Sequence, residues 1–180
     1  KIRDVRFRVG LVFQYTEYQL FEETVYKDIA FGPANQGKTG EELDHAVREV
    51  MGKCGIAHFR RRLVRNLSGG YQQRVGIAQA IVHNPRFVVL DEPTNGLDPN
   101  QIVEIRHLIK EIATDHAVLL STHILSEVQA TCNNIKMIEQ GKLVFSGSMD
   151  EFNNYVAPST LLITLDAAPP ESTLEAIEGV

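Results

Sequence analysis

This 180-residue chain has two cysteines, no long apolar run and no excess of basic residues. Each of these features restricts the functions that the chain can have. Cys54 and Cys132 lie far apart without Cys-x-x-Cys or His spacing, which favours neither a zinc site nor a disulfide framework and fits a reducing cytosol. No apolar run approaches the ~20 residues that cross a bilayer, and no signal peptide opens the chain. We therefore expect any membrane role to come through a partner.

Acidic residues outnumber basic ones by 23 to 18, which gives a net charge of −5. This balance argues against a nucleic-acid-binding protein that works through a broad basic field. The one basic cluster, Arg60-Arg61-Arg62 with Arg65, is interpreted as a solvated helix face or loop. Since 43% of the residues are hydrophobic, we expect a single globular domain with a real core.

Three short apolar runs each end in polar residues. Runs of this length are typical of parallel strands that are buried on both faces of the sheet. In an open α/β sheet, ligands bind outside the carboxyl ends of the strands, so the polar residues are expected to converge on one site. The runs and their polar ends are Val9–Phe13 with Gln14, Phe87–Leu90 with Asp91-Glu92, and Ala117–Leu120 with Ser121-Thr122-His123.

The acid pair Asp91-Glu92 suits Mg²⁺ and water. A second anion site is indicated by Ser68-Gly69-Gly70, which stands just before a helical pattern that includes Val75 and Ala78. A hydroxyl and free backbone N–H groups thus gather at a helix N-terminus, where the helix dipole favours a phosphate.

Four motifs in a fixed order resemble the ATP-binding-cassette (ABC) ATPases. They are LSGGYQQR at residues 67–74, called here the signature, FVVLDEP at 87–93, NGLDP at 95–99 and STH at 121–123. The resemblance implies an α/β fold, with a P-loop NTPase (RecA-like) parallel sheet core and an inserted helical subdomain. It places residues 1–15 and 84–148 in the core, 16–83 in the helical subdomain, and 149–180 at the start of an accessory domain.

Within this family, residues 14–25 closely resemble the ATPases of energy-coupling-factor importers, with Thr16 where a proline is usual. From Leu63 onward the resemblance shifts towards the ATPases of ABC-2-type exporters and gliding-motility systems, with Tyr71 where importers usually carry glutamine. The direction of transport therefore stays open, as does the cargo.

The resemblance also implies a role for each motif residue. Asp91 would hold Mg²⁺ through water, and Glu92 would accept the proton of the water that attacks the γ-phosphate. His123 would hydrogen-bond the γ-phosphate, and Gln14 would line both the Mg²⁺ and the water. Asp98 would lie at a dimer interface. Signature residues would bind the ATP of a second subunit: Ser68, Gly69, Gly70 and Gln73.

The resemblance thus predicts an ATP-hydrolysing subunit of an ABC transporter, which powers a transmembrane partner through ATP-driven dimerisation. ATP and Mg²⁺ are the implied cofactors. The implied partners are a second ATPase subunit and transmembrane permease subunits, with no nucleic acid. The implied location is cytoplasmic, on the inner face of the cell membrane.

Residues 32–39 match the phosphate-loop pattern G-x-x-x-x-G-K-[ST] letter for letter. The context disagrees, because residues 24–31 indicate a short helix capped by Thr24 and not a strand. Thr39 and Glu42 have capping-box spacing ahead of a further helix. In ABC ATPases the phosphate loop precedes the glutamine that matches Gln14, so we expect this match to be a coincidence and the chain to be N-terminally truncated.

Three alternatives remain. The first is a soluble ABC-type ATPase that acts on ribosomes or DNA. The second is a monomeric P-loop NTPase that uses Lys38 and Thr39, which requires residues 28–32 to leave a central strand. The third is a catalytically inert fragment that folds and docks but does not turn over ATP.

Overall fold

The computed structural model describes Val5 and residues 7–155 and divides into two compact units, the first ending at Asn133 and the second beginning at Asn134. The elements of the first unit are β1 (Val9–Val12), α1 (Val25–Asn35), α2 (Gly40–Lys53), α3 (Gly69–Ile81), β2 (Phe87–Asp91), α4 (Pro99–Ile112), β3 (Ala117–Ser121) and α5 (Leu125–Thr131). Short 3-10 turns lie at Thr16–Tyr18, Ala57–Phe59 and Val64–Asn66.

The second unit contains the antiparallel hairpin of β4 (Asn134–Glu139) and β5 (Lys142–Ser148), followed by α6 (Met149–Tyr155). The apolar segments at residues 135–138 and 143–145 predict such a hairpin, and residues 149–155 predict a short helix; both predictions are confirmed. The sequence also predicts a strand at residues 161–165 and a helix that begins after residue 169, and both lie outside the described residues. The four-segment division of the chain stays a prediction.

The sheet of the first unit is parallel, with strand order β1-β2-β3. Val12 is paired with Leu90 and Leu90 with Leu120, and Asp91 lies beside Ser121. The three strands therefore end at the same edge, with β2 in the centre. This arrangement confirms the predicted α/β fold with a parallel sheet.

Helix α3 packs closely on β1. A Cβ atom on Gly10 would lie 2.2 Å from the carbonyl oxygen of Ala80, so only glycine allows the strand and helix backbones this close. Val12 and Val75 are fully buried beside this contact. The apolar core of the unit is continuous from this contact through the helices around α3.

Only one face of the sheet is covered among the described residues. Val12, Val88 and Leu90 are fully buried on the face that packs against the helices. On the other face, Leu11 and Leu119 are exposed at 40% and 63%. The expectation of strands buried on both faces is therefore met on one face only, because no described element of the first unit packs against the second face.

Helices α1 and α2 pack against α3 and one another. The side chain of Thr24 caps α1 by accepting a hydrogen bond from the N–H of Lys27. Arg60 forms an ion pair with Asp44, and its guanidinium lies 4.5 Å from the centre of the Tyr26 ring. Arg60 is therefore only partly solvated, with 41% of its side chain exposed.

Both cysteines are free, in line with the predicted absence of a disulfide framework. Burial raises the pKa of the Cys54 thiol to about 12, so this thiol stays protonated and unreactive at neutral pH. In the part of the chain that the structure describes, no helix has both the length and the hydropathy needed to span a bilayer.

Gly76 of α3 provides a direct test of the packing of the loop after β1. A Cβ atom at Gly76 would lie 2.3 Å from Cγ2 of Thr16. We expect Gly76→Ala to lower the free energy of unfolding by about 1–3 kcal/mol, because the loop must move away from the helix.

The matched control is Gly52→Ala, near the end of α2, where an added Cβ meets nothing within 4 Å. We expect this change to be neutral or to stabilise the fold by up to about 1 kcal/mol. Urea unfolding measures both variants, and equal losses in the two would contradict the close contact at Thr16.

Candidate functional site

Glu92 follows the central strand in a strained backbone conformation. Its φ is +46°, in the left-handed region that costs a non-glycine residue about 1–3 kcal/mol. Two backbone hydrogen bonds hold it there: its N–H donates to the carbonyl of Ser121 at 2.9 Å, and its carbonyl accepts from the N–H of Asn95 at 3.0 Å. The chain thus turns sharply at Glu92 and remains bonded to β3.

His123 follows β3 and contacts Glu92 twice. Its ring Nδ1 lies 2.8 Å from Oε1 of Glu92, and its backbone N–H donates to the same oxygen at 3.1 Å. The hydrogen bond that the imidazole donates to Glu92, together with the charge of that carboxylate, raises the pKa of His123. The imidazole is 74% exposed whereas the Glu92 side chain is only 15% exposed, so His123 is the member of this pair that faces solvent.

Asp91 and Gln14 lie at the same edge of the sheet as this pair. Asp91 is the last residue of β2 and is half-buried, and Gln14 comes two residues after Val12, which is paired with Leu90. A carboxylate and an amide oxygen are suitable Mg²⁺ ligands, and Mg²⁺ commonly takes its other ligands from water and substrate phosphates. Among the described residues, no group of three His, Cys, Asp or Glu side chains forms a cage that could hold a metal by itself.

The signature begins at the N-terminus of α3. Ser68 is the N-cap residue, its carbonyl accepts from the N–H of Gln72 at 2.9 Å, and its side chain makes no capping hydrogen bond within the described residues. Ser68 and Gly69 are exposed. The first N–H groups of a helix have no intrahelical partner, and the binding of an anion at this end of α3 stays a prediction.

Gly70 has a packing role that the sequence did not reveal. A Cβ atom on Gly70 would lie 2.8 Å from Cδ of Gln101 in α4. Leu97 approaches Gly69 as well, at 3.8 Å from the position of an added Cβ. The signature and the start of α4 therefore adjoin within one chain.

Gln73 points into the protein. It is 6% exposed, its Oε1 accepts a hydrogen bond from the Thr16 hydroxyl, and its Nε2 has no partner among the described residues. A direct contact between this side chain and an ATP held by a second subunit would require it to turn outward.

Asp98 caps α4. Its carboxylate accepts hydrogen bonds from the N–H groups of Asn100 and Gln101, both at 3.0 Å, and the Gln101 side chain accepts from the N–H of Asp98 at 3.4 Å. The spacing of Asp98 and Gln101 is that of a capping box, a signal that the sequence itself carries. The place of Asp98 at a dimer interface stays a prediction.

Gln19 was missed by the sequence reasoning although it holds the loop that carries Gln14. Its Nε2 donates to the carbonyl of Leu11 at 3.1 Å and to Oε1 of Gln79 at 2.8 Å, and its Oε1 accepts from the N–H of Phe13 at 3.2 Å. One amide side chain thus ties the end of β1 to α3. A polar residue in an irregular loop gives no periodic signal that would predict such contacts.

Asp28 of α1 holds the other end of the same loop. Its Oδ1 accepts from the N–H groups of Phe21 and Glu22 at 3.0 and 2.8 Å. Burial of this fully enclosed carboxyl raises its pKa, against the opposing effect of the two N–H donors. The loop after Gln14 is therefore fixed at both ends by polar side chains, half-buried Gln19 and buried Asp28.

The phosphate-loop pattern at residues 32–39 has no phosphate-loop structure. Gly32 lies inside helix α1, so no strand precedes the pattern. Lys38 forms an exposed ion pair with Glu42 at 3.0 Å. Thr39 is the N-cap residue of α2, although its side chain makes none of the predicted capping bonds. The predicted coincidence is confirmed, and the alternative of a monomeric P-loop NTPase at these residues is wrong.

The sequence profile of the family described as "ABC transporter" matches residues 1–95 of the chain. The chain belongs to the ABC transporter family. It is 39% identical over 160 residues to the energy-coupling factor transporter ATP-binding protein EcfA2 of Clostridium acetobutylicum, an alignment that covers 87% of this chain and 56% of that protein. It is 37% identical to EcfA of Methanoculleus marisnigri over 171 residues, or 94% of this chain and 61% of that protein.

A solved ABC structure has the same fold. CbiO1 from Clostridium perfringens, described as part of the ABC transporter complex CbiONQ, superimposes with a TM-score of 0.80 at 32% identity over 85% of this chain and 62% of that one. The resemblance to energy-coupling-factor ATPases is thereby confirmed, whereas the resemblance of the second half to exporter ATPases stays an interpretation. The chain spans about half the length of the curated relatives that it matches.

The contact between His123 and Glu92 predicts a change in titration. Glu92→Gln keeps a hydrogen-bond acceptor but removes the charge, so the pKa of His123 should fall towards its ordinary value of 6.5. NMR titration of the His123 ring measures this shift, with the His45 ring of α2 as internal control. An unchanged His123 curve would contradict the contact.

The same contact predicts how stability depends on pH. Because the folded pKa of His123 lies above its unfolded value, the contribution of the pair is fully present below 6.5 and is lost as pH rises through the folded pKa. Urea unfolding measures the free energy of unfolding of the unmodified chain and of Glu92→Gln. The difference between the two should be larger at about pH 6 than at about pH 9. A difference that grows with pH would contradict this assignment.

Proposed function

We propose that this chain is part of the ATP-hydrolysing subunit of an ABC transporter of the energy-coupling-factor class. The observation that carries the proposal is the edge of the sheet, where the Glu92–His123 pair, Asp91 and Gln14 follow three adjacent strands. The relatives named as energy-coupling factor transporter ATP-binding proteins support the class.

In the proposed reaction, water attacks the γ-phosphate of ATP while Glu92 accepts a proton from that water. Glu92 is held for this task in its left-handed backbone conformation by a hydrogen bond to β3, and Oε1 of its carboxylate contacts His123. The exposed imidazole of His123 can turn to donate to the γ-phosphate, which would open one bonding position of Glu92 Oε1 to the water while the backbone N–H of His123 still donates to that oxygen. Asp91 and Gln14 would hold Mg²⁺, which neutralises phosphate charge when bound.

The second binding surface for ATP is the N-terminus of α3. Exposed Ser68 and Gly69 offer a hydroxyl and backbone N–H groups to the γ-phosphate of an ATP held by a second ATPase subunit. Asp98, at the start of the adjoining α4, would face that subunit. Closure of this dimer would drive transmembrane permease subunits, and the protein would sit on the cytoplasmic side of the membrane.

The role of Glu92 is tested in a version of the chain extended upstream by a phosphate-loop segment. We expect Glu92→Gln to lower the rate of ATP hydrolysis by about 10²–10⁴-fold, the usual contribution of a general base, while ATP binding is retained. The control is Glu49→Gln, an exposed glutamate of α2. Unchanged turnover in Glu92→Gln would remove Glu92 from this role.

Lys38 lies in the phosphate-loop pattern at residues 32–39, and the outcome expected for Lys38→Ala differs from that expected for Glu92→Gln. Since the ion-pair partner of Lys38 is the exposed Glu42, the loss of Lys38 should cost at most about 1 kcal/mol of stability and leave Mg-ATP binding by the extended protein unchanged. Isothermal calorimetry measures this binding in the extended protein and in the chain as it stands. Binding by the unextended chain that disappears with Lys38→Ala would place the phosphate site at residues 32–39 and contradict the proposal.

A further inference from the structure

A buried carboxylate outside the family motifs joins the two loops of the candidate site. Glu127, in α5, is 2% exposed. Its Oε1 accepts a hydrogen bond from the hydroxyl of Thr94, and its Oε2 accepts from the hydroxyl of Thr122 at 3.0 Å. Within the described residues, no lysine or arginine forms an ion pair with it. A buried carboxylate is costly unless such donors satisfy it, so both hydroxyls are held firmly in place.

The two threonines stand beside the residues proposed to act on ATP. Thr94 lies two residues after Glu92 in the loop that follows β2, and Thr122 lies directly before His123 in the loop that follows β3. Thr94 is itself 5% exposed. Thr122 also accepts a hydrogen bond from the N–H of Ile124 at 3.2 Å, which fixes the chain on the far side of His123.

Apart from Glu127, these loops are joined by the bond from the Glu92 N–H to Ser121 and by the contacts of His123 with Glu92. The first lies at the strand ends, and the other two join the backbone N–H and the exposed imidazole of His123 to the same oxygen of Glu92. Glu127 supplies the buried connection on the side towards α5.

We propose that Glu127 is a positioning residue, whose carboxylate ties Thr94 to Thr122 and so holds His123 against Glu92. The consequence for catalysis rests on the proposed ATPase function, whereas the consequence for the two loops does not. Glu127 itself contacts neither Glu92 nor His123 through a hydrogen bond among the described residues, so it acts through the threonines.

The test is amide hydrogen exchange, measured by NMR on the chain as it stands. Glu127→Met keeps the volume of the side chain but removes both acceptors. We expect the amides of His123 and Ile124 to exchange on the order of tenfold to a hundredfold faster relative to core amides of β2, the effect of losing hydrogen bonds to a charged group. Glu127→Gln, which can still bond both hydroxyls, should restore most of the protection.

The matched control is Asp28→Asn, which alters a buried carboxyl in the helical region. It should not accelerate His123 and Ile124 selectively. If Glu127→Met does not fold, Thr122→Val tests the same connection with Glu127 intact and should loosen the same two amides. Equal acceleration of every amide, or no acceleration at His123, would overturn the positioning role.

ATP hydrolysis by the upstream-extended protein separates the two proposals. If the wild-type sequence hydrolyses ATP, Glu127→Met should lower kcat while leaving the KM for ATP within about threefold, because ground-state binding uses other residues. Absence of hydrolysis in the wild-type protein together with the predicted exchange pattern would refute the function and leave the positioning role. Hydrolysis with unchanged kcat in Glu127→Met would refute the positioning role.

Discussion

The packing of α3 on β1 is the constraint on which the rest of the structure depends. Gly10 lets the strand approach the helix backbone at Ala80, and Gly76 lets the following loop approach the helix near Thr16. The end of β1 and the signature at the N-terminus of α3 therefore belong to one body. If either glycine carried a side chain, the loop with Gln14 would move relative to both the sheet and the signature.

Around this contact, the structure uses polar side chains, two of them buried, to hold irregular segments. Gln19 and Asp28 hold the loop after β1 through its backbone groups, and Glu127 holds the loops after β2 and β3 through two hydroxyls. Buried polar groups require such partners, so each of these side chains specifies one loop conformation. The strained backbone of Glu92 persists because the surrounding hydrogen bonds fix it.

The sequence predicted the parts of the fold that have a periodic signal. The apolar runs before Gln14, Asp91 and His123 are the three parallel strands, and the helical context of residues 24–42 showed that the phosphate-loop pattern is a coincidence. Convergence of the polar residues could also be predicted, because parallel strands share their carboxyl edge.

Other features could not be predicted, because they depend on which surfaces meet. The inward position of Gln73 follows from its contact with Thr16, a residue 57 positions away, and the packing role of Gly70 from its contact with Gln101. Likewise, the joining role of Glu127 follows from a contact with Thr94 across 33 residues. No spacing rule within one helix or strand reports such contacts.

The measurement that tests the central claim most directly is the mass in solution of the upstream-extended protein carrying Glu92→Gln, with and without Mg-ATP. The account predicts a monomer without nucleotide and a dimer with it. It also predicts that the additional substitution Ser68→Arg keeps the protein monomeric with Mg-ATP. The bulky cation would occupy the exposed N-terminus of α3, where the second subunit's ATP would bind. A protein that stays monomeric with Mg-ATP, or a dimer that forms equally well with Ser68→Arg, would contradict the account.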